Sequence, residues 1–319
     1  MFRCEPLYID WTPDVDVFTI GSFSIRWYSL LWCIGLLLAY LIVQRLYKQQ
    51  KIEQEKFEPL FFYCFLGVLI GARLGHCIFY EPGYYLTSLT GFVEMFIPFR
   101  LTSSGEWHFT GYEGLASHGG TIGLFVALML YCRKYKVGVW TVLDNIAIAV
   151  PITAACIRLG NLMNSEIIGN PTDVAWAFIF HSHEALVDGQ LVPRHPAQLY
   201  EAIAYVLIFI GGILLYRCWY KSKVDPVSAD SSVKGGAVSA CGNAGWGRSC
   251  LSVGSGFYFG YCLATIFLFR FFVEFLKKEQ VEFEANMLLD MGQLLSIPFV
   301  LIGIVCMIRA KRSRVNKLA

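Results

Sequence analysis

Long apolar segments dominate this chain of 319 residues and constrain its fold more than any other feature. A helix that crosses the hydrocarbon core of a bilayer needs about 20 mainly apolar residues. Hydrophobic residues make up 56% of the chain and charged residues only 16%, whereas a soluble domain has about 25% charged residues. The sequence therefore predicts an all-α polytopic membrane protein with about seven transmembrane helices. The predicted spans are residues 24–46, 57–79, 117–131, 140–161, 198–219, 256–276 and 288–307.

The distribution of lysine and arginine predicts the orientation of these spans. If the N-terminus lies outside, 17 of the 26 basic residues fall in the inside loops and the C-terminal segment. An excess of basic residues in short loops marks the cytoplasmic side of a membrane. We therefore predict an N-out, C-in arrangement, which requires an odd number of spans.

The non-membrane segments are predicted to differ in character. Residues 82–112 are expected to form an outside loop with a short interfacial helix, and residues 162–197 alternate in polarity as a small folded periplasmic cap would. Residues 223–252 are rich in Gly, Ser and Ala, a composition that buries too little apolar surface to fold. The predicted segments are an outside segment at 1–23, helices one to five within 24–222, a flexible cytoplasmic insertion at 223–252, helices six and seven within 253–308, and a basic cytoplasmic tail at 309–319.

Charge and cysteine content narrow the function classes. The net charge of +2 is too small to indicate nucleic-acid binding. The 11 cysteines contain no CxxC pair, so neither a zinc site nor a thiol redox motif is indicated. Two histidines at positions 181 and 183 have no third nearby ligand, so a metal site there is not predicted either.

Apart from Arg26, Arg45 and Arg217 at span ends, three arginines lie within predicted spans, where a charged side chain costs about 2.5–3.5 kcal/mol. Arg73, Arg158 and Arg270 all come shortly before the predicted outer ends of even-numbered helices. Polar residues also open the third and fifth spans, at residues 117–120 and 194–201. We therefore expect these side chains to converge in one layer near the outer leaflet. Because guanidinium groups bind phosphate in a bidentate manner, this layer predicts a bound lipid phosphate.

Each of these residues also has a simpler structural explanation. Arg270 and Glu274 are four residues apart and can neutralise each other on one helix face. Arg73 lies between two glycines with the GxxxG spacing of close helix packing, and its side chain could extend to the surface without a ligand. Tyr28 fits an interfacial aromatic belt, and a histidine at a helix start, such as His118 or His195, is usually a satisfied interfacial residue.

Several sequence motifs resemble those of the prolipoprotein diacylglyceryl transferases. Residues 158–169, RLGNLMNSEIIG, resemble the family signature R-x-GN-x-x-N-x-E-x-x-G, and residues 118–123, HGGTIG, resemble its HGG-x-IG box. Further agreement occurs in chain order at residues 25–28 (IRWY), 71–75 (GARLG), 194–201 (RHPAQLYE) and 269–275 (FRFFVEF). Two features depart from the family: the insertion at 223–252 is longer than expected, and Ile266 stands where members often carry tyrosine.

The resemblance implies an enzyme of the bacterial inner membrane with its active site towards the periplasm. Such an enzyme transfers the diacylglyceryl group of phosphatidylglycerol to the lipobox cysteine of a prolipoprotein signal peptide and releases glycerol-1-phosphate. Its partners are these two substrates and the bilayer, and no metal or organic cofactor is required. The main alternative is a transporter or flippase for an anionic lipid or solute. That class needs polar groups deeper in the membrane, where only Asp144 is found.

The resemblance also implies roles for individual residues. His118 would be the base that deprotonates the cysteine thiol, or a lipid ligand, and Arg158 and Arg270 would stabilise the charge that develops on the leaving phosphate. The predicted catalytic residues are His118, Arg158 and Arg270. The predicted substrate-binding residues are Arg158, Asn161, Glu166, Gly169, Arg73, Tyr28, Glu274, His195 and Gln198.

Overall fold

The computed structural model describes a mainly helical protein. It covers residues 8–20, 23–97, 99–101, 105–109, 114, 116–182, 185–187, 189–224, 251–277 and 289–318. Most of the predicted insertion at 223–252 lies outside these residues. The helices are α1 (Trp27–Gln49), α2 (Gln54–Phe79), α3 (Pro82–Tyr85), α4 (Leu89–Glu94), α5 (Ser117–Tyr135), α6 (Val139–Met163), α7 (Ala197–Val224), α8 (Phe257–Glu274) and α9 (Met291–Leu318). The strands are β1 (Ile9–Trp11), β2 (Asp16–Ile20), β3 (Phe23–Arg26), β4 (Phe99–Leu101), β5 (Trp107–Phe109), β6 (Phe178–Phe180), β7 (Leu186–Val187), β8 (Gln190–Leu191) and β9 (Pro193–Arg194).

Six helices of the described chain are long and apolar enough to cross a membrane: α1, α2, α6, α7, α8 and α9. This confirms the prediction of an all-α polytopic membrane protein. The seventh predicted span is α5, a helix of 19 residues that contains three glycines and ends in basic residues. With these residues α5 has no apolar stretch long enough to qualify as a membrane span, so the count of seven stays a prediction.

The helix ends differ from the predicted spans where charged residues continue a helix. Helix α9 extends to Leu318, well beyond the predicted span end at residue 307. Lysine and arginine favour helices almost as strongly as leucine, so a basic segment can remain helical after it leaves the apolar layer. Much of the predicted basic tail is therefore the last part of α9.

The chain divides into two compact units, of which the first comprises residues 1–45 and 143–319. A small sheet in this unit has the strand order β1-β6-β9, with β1 parallel to β6 and β6 antiparallel to β9. Trp11 packs against a cluster that includes Leu162, Phe178 and Phe180, and its indole N–H donates to the carbonyl of Leu162 at 3.0 Å. The N-terminal segment thus supplies one strand to the folded cap that was predicted at residues 162–197.

Asp144, a fully buried acidic residue in α6, has a structural partner in this unit. Its carboxylate accepts backbone N–H bonds from Gly254 (2.8 Å), Gly256 (3.0 Å) and Phe259 (3.0 Å) at the start of α8. The first backbone N–H groups of a helix have no partner within the helix. Asp144 therefore acts as a long-range N-terminal cap for α8, which accounts for a carboxylate in an apolar helix.

The second unit comprises residues 46–142 and is built on close packing of α2 against α5. Glycines of the two helices face each other: a Cβ atom on Gly71 would lie 2.4 Å from the carbonyl oxygen of Gly119, and one on Gly123 would lie 2.1 Å from that of Gly67. Such contacts require glycine on both sides. The predicted role of the GxxxG spacing in helix packing is therefore confirmed, and Gly119, which follows His118, is part of the same contact.

Candidate active site

The end of α6 positions the central residues of the signature motif. The guanidinium of Arg158 donates through Nη1 to the Asn161 side-chain oxygen at 3.1 Å. The Asn161 amide donates to Glu166 Oε2, and the Asn164 amide donates to Glu166 Oε1, each at 3.0 Å. Arginine, amides and carboxylate thus form one continuous chain of hydrogen bonds at the helix end.

The backbone around Glu166 is held in an unusual conformation. Ser165 and Ile167, which flank Glu166, have φ values of 54° and 57°. A β-branched residue in this left-handed region is a clear outlier, and such conformations concentrate at functional sites. The conformation is held by a bond from the Glu166 backbone N–H to the Asn161 carbonyl at 3.0 Å. Glu166 is therefore flanked on both sides by backbone in a strained, left-handed conformation.

Arg158 is paired with Glu201, a residue of α7 that is completely buried. The distance between Arg158 Nε and Glu201 Oε2 is 2.9 Å. Glu201 Oε1 lies 3.3 Å from the ammonium of Lys277 and accepts a bond from the Tyr205 hydroxyl at 3.2 Å. A buried carboxylate requires opposite charges and hydrogen bonds, and Glu201 has both.

Glu274 is paired with a different residue from the one expected. Lys277 Nζ lies 3.2 Å from Glu274 Oε2, and no ion pair joins Arg270 to Glu274 in the described part of the chain. The alternative in which Arg270 and Glu274 neutralise each other is therefore wrong for this structure. The reason is that Lys277 lies close to the end of α8: its backbone N–H donates to the Glu274 carbonyl, and its ammonium contacts the Glu274 carboxylate.

Arg270 is half-buried in α8 and has no hydrogen-bond or ion-pair partner among the described residues. The guanidinium groups of Arg158 and Arg270 both lie within electrostatic range of the Tyr205 hydroxyl. An unpaired guanidinium inside a membrane helix is costly. The site thus has one cation that is available for an anionic ligand.

Tyr28 and Gly169, two predicted substrate-binding residues, are closely packed beside this network. The Tyr28 ring packs on Gly160, where a Cβ atom would lie 2.9 Å from Tyr28 Cδ2. Gly169 is enclosed by backbone: its N–H donates to the His195 carbonyl at 3.0 Å, and a Cβ atom would lie 2.5 Å from that oxygen. Arg194 is buried and donates to the carbonyls of Ala185 and Gly169, each at 3.1 Å. Gly169 therefore has a packing role in the structure, and its contact with substrate stays a prediction.

His195 and Gln198 lie at the start of α7 beside the signature segment. Tyr200 bridges the indole N–H of Trp176 (2.8 Å) and Nδ1 of His195 (3.2 Å). Burial lowers the pKa of His195, because the charged imidazolium loses hydration. Gln198 is fully buried and donates to the Glu166 carbonyl, and its side-chain oxygen has no hydrogen-bond partner among the described residues. A buried acceptor without a partner suits a ligand hydroxyl.

The two remaining predicted residues, Arg73 and His118, belong to the second unit. Arg73 is buried and donates to the carbonyls of Glu94 (2.9 Å) and Met95 (3.3 Å) and to the Tyr85 hydroxyl (3.3 Å). These bonds fix the short helices α3 and α4 to α2, so Arg73 has a structural role, and its substrate role stays a prediction. His118 is an exposed residue in the first turn of α5.

The histidines that were considered for a metal site do not form one in the described residues. His181 Nε2 lies 2.5 Å from Asp10 Oδ1 across the β1–β6 pair, and residue 183 lies outside the described ranges. No cluster of three or more His, Cys, Asp or Glu suited to a metal ion occurs in this part of the chain. His181 is thus accounted for by its hydrogen bond to Asp10 next to the β1–β6 pair.

Two members of the network, Glu201 and Lys277, are absent from the residues predicted from sequence. Glu201 belongs to the polar start of the fifth span, residues 194–201, which was expected to converge with the arginines, but it was not among the predicted site residues. Lys277 looks like an ordinary basic residue after a helix end. The antiparallel bridge between Gly169 and Lys277 brings the lysine next to the signature segment. Such a pairing joins distant parts of the chain and has no local sequence signal.

Comparison with known proteins agrees with the motifs. A family model described as prolipoprotein diacylglyceryl transferase matches residues 16–231 and 246–309. The chain is 53% identical over 301 residues to a phosphatidylglycerol–prolipoprotein diacylglyceryl transferase of Bacteroides fragilis, covering 94% of this chain and 95% of that protein. Relatives of the same name from Chloroherpeton thalassium and Porphyromonas gingivalis are 37% identical, over 97% and 98% of both chains respectively.

The one interruption of the family match, residues 232–245, falls inside the predicted insertion at 223–252. All of the residues of the arginine network lie within the matched segments. The signature segment, the paired charges and the similarity over nearly the whole length lead to one assignment. The chain belongs to the prolipoprotein diacylglyceryl transferase family.

Proposed function

We propose that this protein transfers the diacylglyceryl group of phosphatidylglycerol to the lipobox cysteine of prolipoproteins and releases glycerol-1-phosphate. The observation that carries the proposal is Arg270, which has no partner among the described residues, beside the ion-paired Arg158. Arg158 and Lys277 balance Glu201 and Glu274, the two carboxylates that they contact, whereas Glu166 is exposed and bonded to amides, so Arg270 adds one positive charge to the ion-paired group. A phosphodiester headgroup carries one negative charge and matches that surplus.

The proposed reaction changes charge at the phosphate. The cysteine thiolate attacks the C3 carbon of the glyceryl unit, a C–S bond forms, and the C–O bond to the phosphate breaks. The phosphodiester becomes a phosphate monoester and gains one negative charge. Preorganised donors stabilise such developing charge most strongly in a site that excludes water. Arg158 and Arg270 are proposed to supply these donors.

The remaining roles follow from the chemistry of the side chains. A cysteine thiol with an ordinary pKa of about 8.5 is mostly protonated at neutral pH, so a base is needed to form the thiolate. We propose His118 for that role, because its motif matches the family and its imidazole is exposed. Asn161, Glu166 and the buried side-chain oxygen of Gln198, which has no partner among the described residues, are proposed to hold the hydroxyl groups of the headgroup glycerol.

The proposed location is the bacterial inner membrane, with Arg158 and Arg270 near the periplasmic side. Its support is the bias of basic residues towards the predicted inside loops and the presence, in a membrane-length helix, of an arginine without a partner among the described residues. Reporter fusions that follow α6 and α8 should both report a periplasmic location. Fusions that placed these two helix ends on opposite sides of the membrane would contradict both the topology and the shared phosphate site.

The proposed activity is tested with purified protein, labelled phosphatidylglycerol and a lipobox peptide. The peptide should gain the mass of a diacylglyceryl group, and glycerol-1-phosphate should appear in equal amount. Arg158→Ala should abolish both signals, and residual transfer above about a tenth of wild type would exclude the phosphate role, since lost transition-state contacts of this kind reduce rates by about 100-fold or more. Movement of lipid without release of glycerol phosphate would instead favour a transporter.

A further inference from the structure

Lys277 occupies a position that the proposed reaction does not yet explain. It lies three residues beyond α8, and its side chain is only 4% exposed. Its ammonium contacts Glu201 Oε1 at 3.3 Å and Glu274 Oε2 at 3.2 Å, so two of its three donors meet carboxylates. A lysine is almost never buried in this way unless it is paired.

The backbone holds Lys277 firmly in this place. Its own N–H donates to the Glu274 carbonyl at 3.0 Å. Lys277 also forms an isolated antiparallel β-bridge with Gly169, the last residue of the signature segment. The Asn170 N–H donates to the Leu276 carbonyl at 2.7 Å. Backbone contacts therefore connect the signature segment to the chain just after α8, and they fix the position of Lys277.

The contacts of Glu201 indicate what the lysine does. Glu201 shares its carboxylate between Arg158 on one oxygen and Lys277 on the other. In the absence of Lys277, Arg158 would be the only cation in contact with this buried carboxylate among the residues that the structure describes. Glu201 would then neutralise most of the positive charge of Arg158, and the electrostatic attraction of Arg158 for a bound phosphate would be weaker.

We infer that Lys277 is a positioning residue that compensates Glu201 and Glu274, and so leaves Arg158 and Arg270 with the net positive charge that binds the lipid phosphate. The inference rests on the proposed function. With Lys277 present, the group has a net charge of one positive unit. Its members are Arg158, Arg270, Lys277, Glu201 and Glu274. Without Lys277 the same group is neutral, although no residue in contact with the phosphate has been removed.

A purely structural role for Lys277 makes a different prediction. If the ammonium only joins α7 and α8, activity depends on the packing of the lysine side chain. If it compensates charge, activity depends on the sum of charges in the group. A charge-neutral double variant separates the two cases, because Lys277→Met together with Glu201→Gln restores the surplus of one positive charge but not the lysine.

The experiment measures kcat and KM for phosphatidylglycerol in four proteins: wild type, Lys277→Met, Lys277→Arg and the double variant Lys277→Met/Glu201→Gln. We expect Lys277→Met to lower kcat/KM by about 30-fold, Lys277→Arg by less than about threefold, and the double variant to recover at least about tenfold of the loss, as interacting residues do in a double-mutant cycle. Lys56→Met is the matched control, since Lys56 is paired with Glu53 at the exposed start of α2.

Each outcome separates this inference from the proposed function. Absence of transfer by the wild-type protein would reject the proposed function. An active wild type with a fully active Lys277→Met, or with a double variant that is no better than Lys277→Met, would reject the compensating role alone. Thermal unfolding of each variant is recorded, and Lys277→Gln, whose amide can still bond to both carboxylates, provides the same comparison if the methionine variant does not fold.

Discussion

At the scale of single residues, the two site arginines differ in what the protein supplies to them. Arg158 has Glu201 and Asn161 as partners, whereas Arg270 has none among the described residues. Removal of one partner from a buried ion pair costs up to about 3–5 kcal/mol, and without Arg158 the carboxylates of Glu201 and Glu274 would share the single cation of Lys277. Removal of an unpaired buried charge has no such cost. The two residues should therefore affect activity alike and stability differently.

We predict that Arg158→Ala and Arg270→Ala both lose transfer activity, but that only Arg158→Ala markedly lowers the temperature of unfolding. Arg270→Ala should leave that temperature unchanged or raise it. The measurements are transfer of diacylglyceryl to a lipobox peptide and thermal unfolding in the same detergent. Equal destabilisation by both substitutions would show that Arg270 is held by the protein rather than reserved for a ligand.

His195 should give part of the stability a dependence on pH. Its pKa is lowered in the folded state by burial, so the unfolded chain binds a proton more readily. Stability is then complete at neutral pH and is lost as the pH falls below about 6.5 towards the folded-state pKa. We predict that His195→Gln has a shallower fall in unfolding temperature between pH 7.5 and 5.5.

The matched control for His195 is His108→Gln, since His108 is an exposed histidine in β5. Its pH profile should follow that of the wild type. A His195→Gln profile as steep as the wild type would mean that the acid sensitivity arises from other groups. The Tyr200 hydroxyl lies 3.2 Å from His195 Nδ1. In the neutral tautomer that carries its proton on Nε2, Nδ1 accepts from this hydroxyl, and a second proton on Nδ1 would remove that acceptor, in agreement with the predicted sign.

At the scale of elements, close contact between α2 and α5 depends on glycines rather than on apolar side chains. We predict that Gly123→Ala destabilises the protein by about 1–3 kcal/mol, the usual cost of forcing an extra atom into a packed interface. The new Cβ atom would lie 2.1 Å from the Gly67 carbonyl oxygen, so the helices must separate. Gly83→Ala in α3 is the control, because nothing lies within 4 Å of the added atom. Equal unfolding temperatures for the two variants would contradict the contact.

The sequence predicted the helices well because hydropathy is a local property. Six predicted spans correspond to membrane-length helices, and the GARLG glycines were correctly assigned to helix packing. The parallel pairing of Ile9–Trp11 with Phe178–Phe180 was not predicted, because it joins segments far apart in the chain. For the same reason the partner of Glu274 was wrong: the choice between Arg270 and Lys277 depends on how the chain turns after α8.

At the scale of the whole molecule, a fixed anchor follows a segment that the family match omits. Helix α7 ends at Val224, the family match skips residues 232–245, and α8 begins at Phe257. Gly254, Gly256 and Phe259 are bonded to the buried Asp144 before and within the first turn of α8. The position at which the chain returns to the membrane is therefore determined by Asp144 in α6 and not by the length of the preceding segment.

We predict that deletion of residues 232–245 leaves diacylglyceryl transfer and the unfolding temperature close to those of the wild type. Asp144→Ala, in contrast, should destabilise the protein, because three backbone N–H groups lose their acceptor at a cost of about 1–3 kcal/mol each when buried. Asp144→Asn should be intermediate, since its amide oxygen still accepts. Activity lost in the deletion variant but kept in Asp144→Ala would show that the inserted segment itself, rather than the anchor, positions α8 for catalysis.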